Sequence, residues 1–354
     1  MINRRQCMRW AAGLLGAVAG SQLIFAARQD MAEKLIWRER VLLGFGTTLW
    51  IKVGGNSADS LEAALDDAVR EIRSIERQMS LFDPDSALSR LNANGILHRP
   101  DAPLLEVMKF SQQISRLSGG TFDVSMQPLW QLWSAAAASQ TLPSPSEVRR
   151  VLQRVSWRAI EVSPSTVRLN LGGMGVSLNG IAQGYAADRV RSVLRSHHIQ
   201  HALIDTGETA TLGRSPAQGA WSFLIEDAAF YAGSPARNAS EQAVESGPVL
   251  VSDGRAIATS SDAHTAFSTD RRHHHILDPG TGYSPAYWSS VTVIADTCIL
   301  ADALTKVFFM MPSSQVIASA RRWNVDVLLQ DKQGHWLASE GAQRLTTDRS
   351  RQSG

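Results

Sequence analysis

Residues 41–53 read VLLGFGTTLWIKV, and residues 57–82 read SADSLEAALDDAVREIRSIERQMSLF. The first stretch sets β-branched and aromatic residues in near-alternation, the pattern of a strand with one buried face. In the second, Leu61, Leu65, Val69, Ile72 and Ile75 recur at intervals of three and four, which gathers them on one side of a helix. Ser57 or Asp59 is available as its cap. A strand feeding a long amphipathic helix predicts a chain in which helices cover a sheet.

The remaining sequence sustains this reading. After the turn-rich DPDSALSRLNANG (83–95), a helix over 103–117 is expected to stop at Gly119 and Gly120. Residues 135–145 are low in complexity and read as an inserted loop or short helix. Alternating apolar residues between Ala159 and Asn170 predict strands, and GIAQGYAADRVRSVLRSHHI (180–199) predicts a helix with a glycine-rich entry. Further strands are expected in 201–213, 221–228, 256–261, 273–279 and 289–295. A helix follows at 298–311 and a last strand at 325–331. Residues 233–247 are small and polar, a surface excursion between strands. No repeat of fixed period occurs, and no break in composition divides the chain. The expected fold is mixed α/β (α+β), a single globule of two interlocked lobes.

Composition narrows the functional classes. The 354 residues are 44% apolar, enough for a sizeable core and an enclosed site, and the formal net charge is only +2. The basic residues are scattered, so no nucleic-acid partner is expected. The two cysteines, Cys7 and Cys298, exclude a cysteine-based zinc site and a disulfide scaffold. Residues 1–27 form an expected export signal: paired Arg4 and Arg5 precede an apolar run from about Trp10 to Ala27. The arginine pair favours the twin-arginine route and a periplasmic location. Removal near Ala26 or Ala27 would leave no stable membrane span, whereas retention would leave an anchor. Residues 346–354 read as a polar tail.

Four stretches carry chemistry, each beside a plainer reading. In SLFDPDSALSRLN (80–92), Asp83 to Asp85 form a turn before a helix, and by itself that favours a cap; Phe82 just ahead of it offers a face to a flat ring. In SGGTFDVSMQPLW (118–130), the glycines admit a close ligand and Asp123 can accept a hydrogen bond, but a helix stop is favoured alone. In SLNGIAQGYAADRV (177–190), a glycine-bearing helix entrance suits a phosphate about as well as it suits close helix packing. It is neither a P-loop nor a dinucleotide fingerprint. In ADALTKVFF (301–309), Asp302 sits in an apolar helix, where an unpaired carboxylate is costly; it needs a partner, exposure or a hard cation, and Thr305 and Lys306 are its neighbours on that face.

These stretches, in this order, with HHHILDPGTGYSP (273–285) between the third and fourth, resemble the ApbE family of FAD:protein FMN transferases over nearly all of the chain after about residue 40. LIDTGETATLG (203–213) resembles the NosX-type branch, exported and associated with nitrous-oxide respiration. The resemblance implies a flavin transferase domain over 28–345 that cleaves FAD, moves FMN onto a Thr or Ser hydroxyl of an acceptor flavoprotein, with a NosR-like acceptor expected from the branch, and releases AMP with Mg2+ neutralising the diphosphate. By matching motifs, Phe45, Phe82, Thr121, Phe122, Asp123, Ser177, Gln183, His275, Asp278 and Thr281 would bind FAD. Asp302 and His275 would be catalytic, and Asp302, Thr305 and Gly180 would hold the metal. Several positions differ from many relatives: Ser177 stands where they have Asp, Asn179 where they have Gly, Gln183 where a basic or acidic residue is often found, and Lys306 where the metal-binding Thr falls. His273, His274 and His275 are expected to alternate faces on a strand, with only His275 in the site and the others at the surface. The reading from another class is a flavin-binding or FAD-hydrolysing protein, with water in place of the acceptor hydroxyl.

Export is expected to depend on the arginine pair. Changing Arg4 and Arg5 together to Lys should leave unprocessed protein in the cytoplasm, measured by fractionation and blotting; normal periplasmic delivery would refute the twin-arginine route.

Overall fold

The computed structural model of the protein describes residues 35–228, 247–263 and 265–347. The expected export signal, and all of the expected excursion except Gly247, lie outside the described residues. Among those residues no helix is long and apolar enough to cross a membrane.

Residues 41–53, expected as one strand, fall in two: β1 (Ile36–Gly44) and β2 (Thr47–Gly55) pair as an antiparallel hairpin through Phe45 and Gly46. Both linking residues have positive φ, +50° and +78°, the backbone of a two-residue hairpin turn. A phenylalanine pays for that conformation, and its N–H is held by Glu76 Oε1 at 2.8 Å. Phe-Gly lacks the Asn or Asp that marks such turns, so the sequence hid it.

Helix α1 (Ala58–Met79) is capped by Ser57, whose side chain accepts from the Ser60 N–H. Its buried stripe comprises Leu61, Leu65, Ile72 and Ile75 with Ala68, not Val69, between them. The chain continues through α2 (Ala87–Asn94), β3 (Ile96–His98), α3 (Ala102–Leu117), α4 (Gln127–Ala138) and α5 (Pro145–Leu152). Next come β4 (Ile160–Val162), β5 (Thr166–Leu169), α6 (Ala182–Ser196), β6 (His201–Asp205), β7 (Thr209–Leu212), β8 (Ser222–Leu224), β9 (Val249–Val251), β10 (Ala256–Ser261) and β11 (Trp288–Ala295). The last elements are α7 (Cys298–Phe309), α8 (Ser313–Trp323), β12 (Asp326–Asp331), β13 (Trp336–Ala338), α9 (Glu340–Leu345) and β14 (Thr346–Thr347).

The main sheet is eight-stranded, in the order β1-β2-β6-β7-β10-β11-β12-β13, and each neighbouring pair is antiparallel. The inward side chains of β2, Leu49, Ile51 and Val53, pack with Leu61 and Leu65 of α1 and with Ala187, Val190 and Leu194 of α6. β11 is buried along its whole length, which explains its unbroken SSVTVIA run. Two three-stranded sheets, β14-β9-β8 and β3-β5-β4, flank the main one.

Several local expectations are corrected. Residues 273–279 form no strand; an isolated bridge between Ala266 and His274 is all the pairing recorded there. The chain instead folds on itself, with Asp278 N–H donating to Tyr283 O and Gly282 N–H to Asp278 O. In 135–145, α4 runs to Ala138, and α5 opens at Pro145 on a reciprocal cap between Ser144 and Glu147. α8, β13 and α9 lie beyond what the pattern indicated. Thr346 and Thr347, at the start of the expected tail, pair with β9.

Helices α6 and α7 cross closely at Gly184. A Cβ at Gly184 would lie 2.4 Å from Cys298 O and 2.7 Å from Asp302 Cβ. Replacing Gly184 with alanine must therefore push the two helices apart. Gly184→Ala should cost about 3 kcal/mol, the upper part of the usual overpacking range, read as a lowered urea midpoint; an unchanged midpoint would show that this contact yields freely.

Candidate active site

A cavity of about 1100 Å³ opens where the end of α1, the Thr121–Val124 turn, the start of α6, the β6–β7 turn, β10, the 275–279 loop and α7 converge. Phe82, Thr121, Phe122, Asp123, Ser177, Gly180, Gln183 and His275 all line it. Four separate stretches of sequence thus meet at one place. Phe82 is 69% exposed at the rim, its N–H held by Ser80 Oγ at 3.1 Å, while Phe122 is buried in the wall. Phe45 lines a small side cavity of about 80 Å³ that shares Phe82, Asn179 and Gln183 with the large one.

Asp123 is committed mainly to the fold. Its Oδ1 accepts from Ser125 N and Oγ, at 2.8 and 2.7 Å, and its Oδ2 accepts from Trp157 N at 2.8 Å. Burial raises its pKa, and these hydrogen bonds oppose the shift. Asp278 and Thr281, expected to bind flavin, lie outside the cavity lining. Asp278 Oδ1 accepts from Gly280 N at 2.7 Å, and Thr281 Oγ1 from Tyr283 N at 3.3 Å. Both side chains close the turn that carries Leu277 and Pro279 to the wall.

The three histidines diverge. His273 stacks on Trp133 with centroids 4.7 Å apart, and His274 is fully buried beside Phe309, so neither is the surface residue expected. His275 lines the cavity, its backbone N–H and its Nδ1 both on Thr265 O, at 3.0 and 3.1 Å. A carbonyl only accepts, so Nδ1 carries the proton, and in the neutral ring the lone pair is on Nε2.

Asp302, Thr305 and Lys306 form the floor. Asp302 is fully buried; its Oδ1 accepts from Lys306 Nζ at 2.5 Å and its Oδ2 from Gly184 N at 3.0 Å. Thr305 Oγ1 donates to Asp302 O at 2.7 Å and lies 2.7 Å from Ser260 Oγ. Asp302 and Thr305 are thus behind the wall, and Lys306 is the member of the trio that lines the cavity. Among the described residues, no group of three or more His, Cys, Asp or Glu side chains comes together in a way that could hold a metal.

The β6–β7 turn contributes residues not anticipated as site residues: Asp205, Gly207 and Glu208. Glu208 is 6% exposed and its Oε2 accepts from Thr259 N at 3.0 Å. Burial, followed by the Asp302 charge, pushes its carboxyl well above the ordinary range, with Lys306 opposing. The signal was present in DTGE, two acids around a glycine between strands, but it reads equally as a turn.

The ApbE family model matches residues 45–329. Among curated proteins, the FAD:protein FMN transferase of Treponema pallidum is 28% identical over 353 aligned residues, covering 92% of each chain. That of Vibrio cholerae is 29% identical over 301 residues, 80% of this chain and 84% of its own. Among solved structures, the ApbE protein of Thermotoga maritima superposes with a TM-score of 0.75 at 24% identity, covering 88% of this chain and all of its own. The apo flavinyl transferase ApbE of Pseudomonas stutzeri superposes at 0.73 and 22% identity, covering 89% and 98%. These superpositions establish the shared fold.

Burial, then the charges of Lys332 and His275, lowers the pKa of His274 to about 3. Unfolded, the ring takes a proton near its ordinary 6.5; folded, it stays neutral until about 3. The unfolded state therefore binds more protons across that window, and stability contributed at neutral pH is lost as pH falls from about 6.5 toward 3. His274→Phe should lose less stability than the wild type between pH 7 and pH 4.5 in urea unfolding. Equal losses would remove His274 as the acid-sensitive group.

Proposed function

The chain belongs to the ApbE family, and on that premise we propose that it is an FAD:protein FMN transferase acting on a Thr or Ser hydroxyl of an acceptor flavoprotein. The observation that carries this reading is the single cavity lined together by Phe82, Gln183, His275 and Lys306, an aromatic rim above a polar, cationic floor. An isoalloxazine ring lies against Phe82, and the diphosphate reaches down to Gln183 and Lys306. The acceptor oxygen attacks the FMN phosphorus, the bond from that phosphorus to the bridging oxygen breaks, and its electron pair leaves on AMP. His275 takes the hydroxyl proton at Nε2.

Magnesium, implied by the resemblance, fits these residues poorly. Both oxygens of Asp302 are engaged, and the Thr305 hydroxyl is bonded to Asp302 O and set against Ser260. The chemistry is therefore assigned to the chain's own groups.

The finer setting is also our proposal: export to the periplasm, and an acceptor of the NosR kind in nitrous-oxide reduction. It is supported by Arg4 and Arg5 ahead of the apolar run and by the LIDTGETATLG stretch at 203–213.

Incubation with FAD and a Thr-bearing acceptor peptide should add one FMN to the peptide and release AMP, read by mass spectrometry. Free FMN and AMP with an unmodified peptide would instead indicate hydrolysis. Phe82→Ala should weaken FAD binding about fivefold, the equivalent of ~1 kcal/mol of stacking, while leaving the fold intact; unchanged affinity would remove Phe82 from the flavin site.

A further inference from the structure

Resting on the transferase reading, we propose that Lys306 is the resident cation of this active site, its ammonium standing at the diphosphate in place of a divalent metal. The first support is the geometry of the ion pair. Lys306 Nζ lies 2.5 Å from Asp302 Oδ1 and 3.2 Å from Asp302 O, so it fills the space in front of the one buried carboxylate on the floor. The other carboxylate oxygen is committed to the Gly184 N–H. A dication approaching Asp302 has to expel the ammonium first.

The second support is orientation. Asp302 is fully buried, whereas the Lys306 side chain is 22% exposed and lines the cavity. The pair presents its positive end to a ligand and keeps its negative end behind. The lysine stem runs against Gly180, where a Cβ would sit 3.1 Å from Lys306 Cε, so the side chain is confined between α7 and the entrance to α6. Lys306 also occupies the last turn of α7, where the helix carbonyls favour a cation.

The third support is the donor inventory. Magnesium asks for near-octahedral oxygen ligands. The Glu208 carboxyl on the same wall accepts from the Thr259 N–H, and among the described residues no three His, Cys, Asp or Glu side chains gather in a way that could hold a metal. A lysine ammonium is a compact point charge suited to phosphate oxygens. As the bond between the FMN phosphorus and the bridging oxygen breaks, the electron pair moves onto AMP. The ammonium offsets that charge and keeps its proton, while the acceptor's proton leaves through His275.

The test uses the full chain with Mg2+ or EDTA as the only variable. FAD affinity, read from flavin fluorescence, should agree within about twofold in EDTA and in excess Mg2+, and calorimetric titration of Mg2+ into the protein without FAD should show no binding. Lys306→Ala, which clears the space before Asp302, should bind FAD at least about tenfold more weakly in EDTA, take up Mg2+ in the calorimeter, and recover FAD affinity with it. Magnesium binding to the wild type, or FAD binding and transfer that EDTA abolishes, would overturn the proposal, as would full FAD affinity of Lys306→Ala in EDTA. Should Lys306→Ala fail to fold, the two wild-type measurements decide. Should the wild type bind no FAD at all, the transferase reading falls, and the Mg2+ titration of the wild type still judges the lysine.

Discussion

The structure turns on an exchange of carboxylates between α6 and α7. Asp302 of α7 accepts from the Gly184 N–H in the first turn of α6, and Asp188 of α6 accepts from the Ile299 N–H in the first turn of α7, at 3.0 and 2.9 Å. Neither helix has a side-chain cap from its own N-cap residue; Ile181 and Thr297 make none. Each helix therefore satisfies the other's unpaired amides, which also places negative charge where the helix dipoles favour it. The arrangement demands a close crossing, and Gly184 permits it.

Each carboxylate then needs a cation, since an unpaired buried charge costs several kcal/mol. Arg191 supplies one for Asp188 at 2.7 Å and also reaches Asp296 O, tying α6 to the strand end before α7. Lys306 supplies the other, and because Asp302 lies just behind the cavity, its counter-charge faces the ligand space. Asp302 thus ties α7 to α6 through the Gly184 N–H, and its ion pair with Lys306 within α7 gives the pocket floor its polarity. Glu208 shares the wall, and its carboxyl is pushed well above the ordinary range by burial and then by Asp302, with Lys306 opposing.

The opposite rim depends on a strained hairpin. Phe45 is held at positive φ by its hydrogen bond to Glu76, which Arg73 holds in turn at 2.5 Å while also donating to Leu43 O. This sets the β1–β2 turn beside Phe82, whose ring lies against Gly46, where a Cβ would approach it to 2.9 Å. An exposed aromatic gains a defined position from a turn some 36 residues earlier in the chain.

Much of this was legible in the sequence. The period of α1, the core strand SSVTVIA and the glycine-bearing entry to α6 are local patterns, because side-chain spacing alone decides which face is apolar. Membership of Phe82, Thr121, Phe122, Ser177, Gln183 and His275 in one site was legible only through the order of their motifs; no spacing brings residues 82 and 275 together. What tertiary structure alone decided is how each polar group is satisfied. The sequence left the partner of Asp302 open, and the structure sets its two oxygens on the i, i+4 lysine and on the neighbouring helix's amide. His274 is buried and His273 stacked because the loop folds back through Asp278 instead of extending as a strand. Asp278 and Thr281 turned inward to their own backbone for the same reason. Burial and hydrogen-bond partners depend on contacts distant in sequence, whereas helix and strand periods depend on neighbours a few residues away.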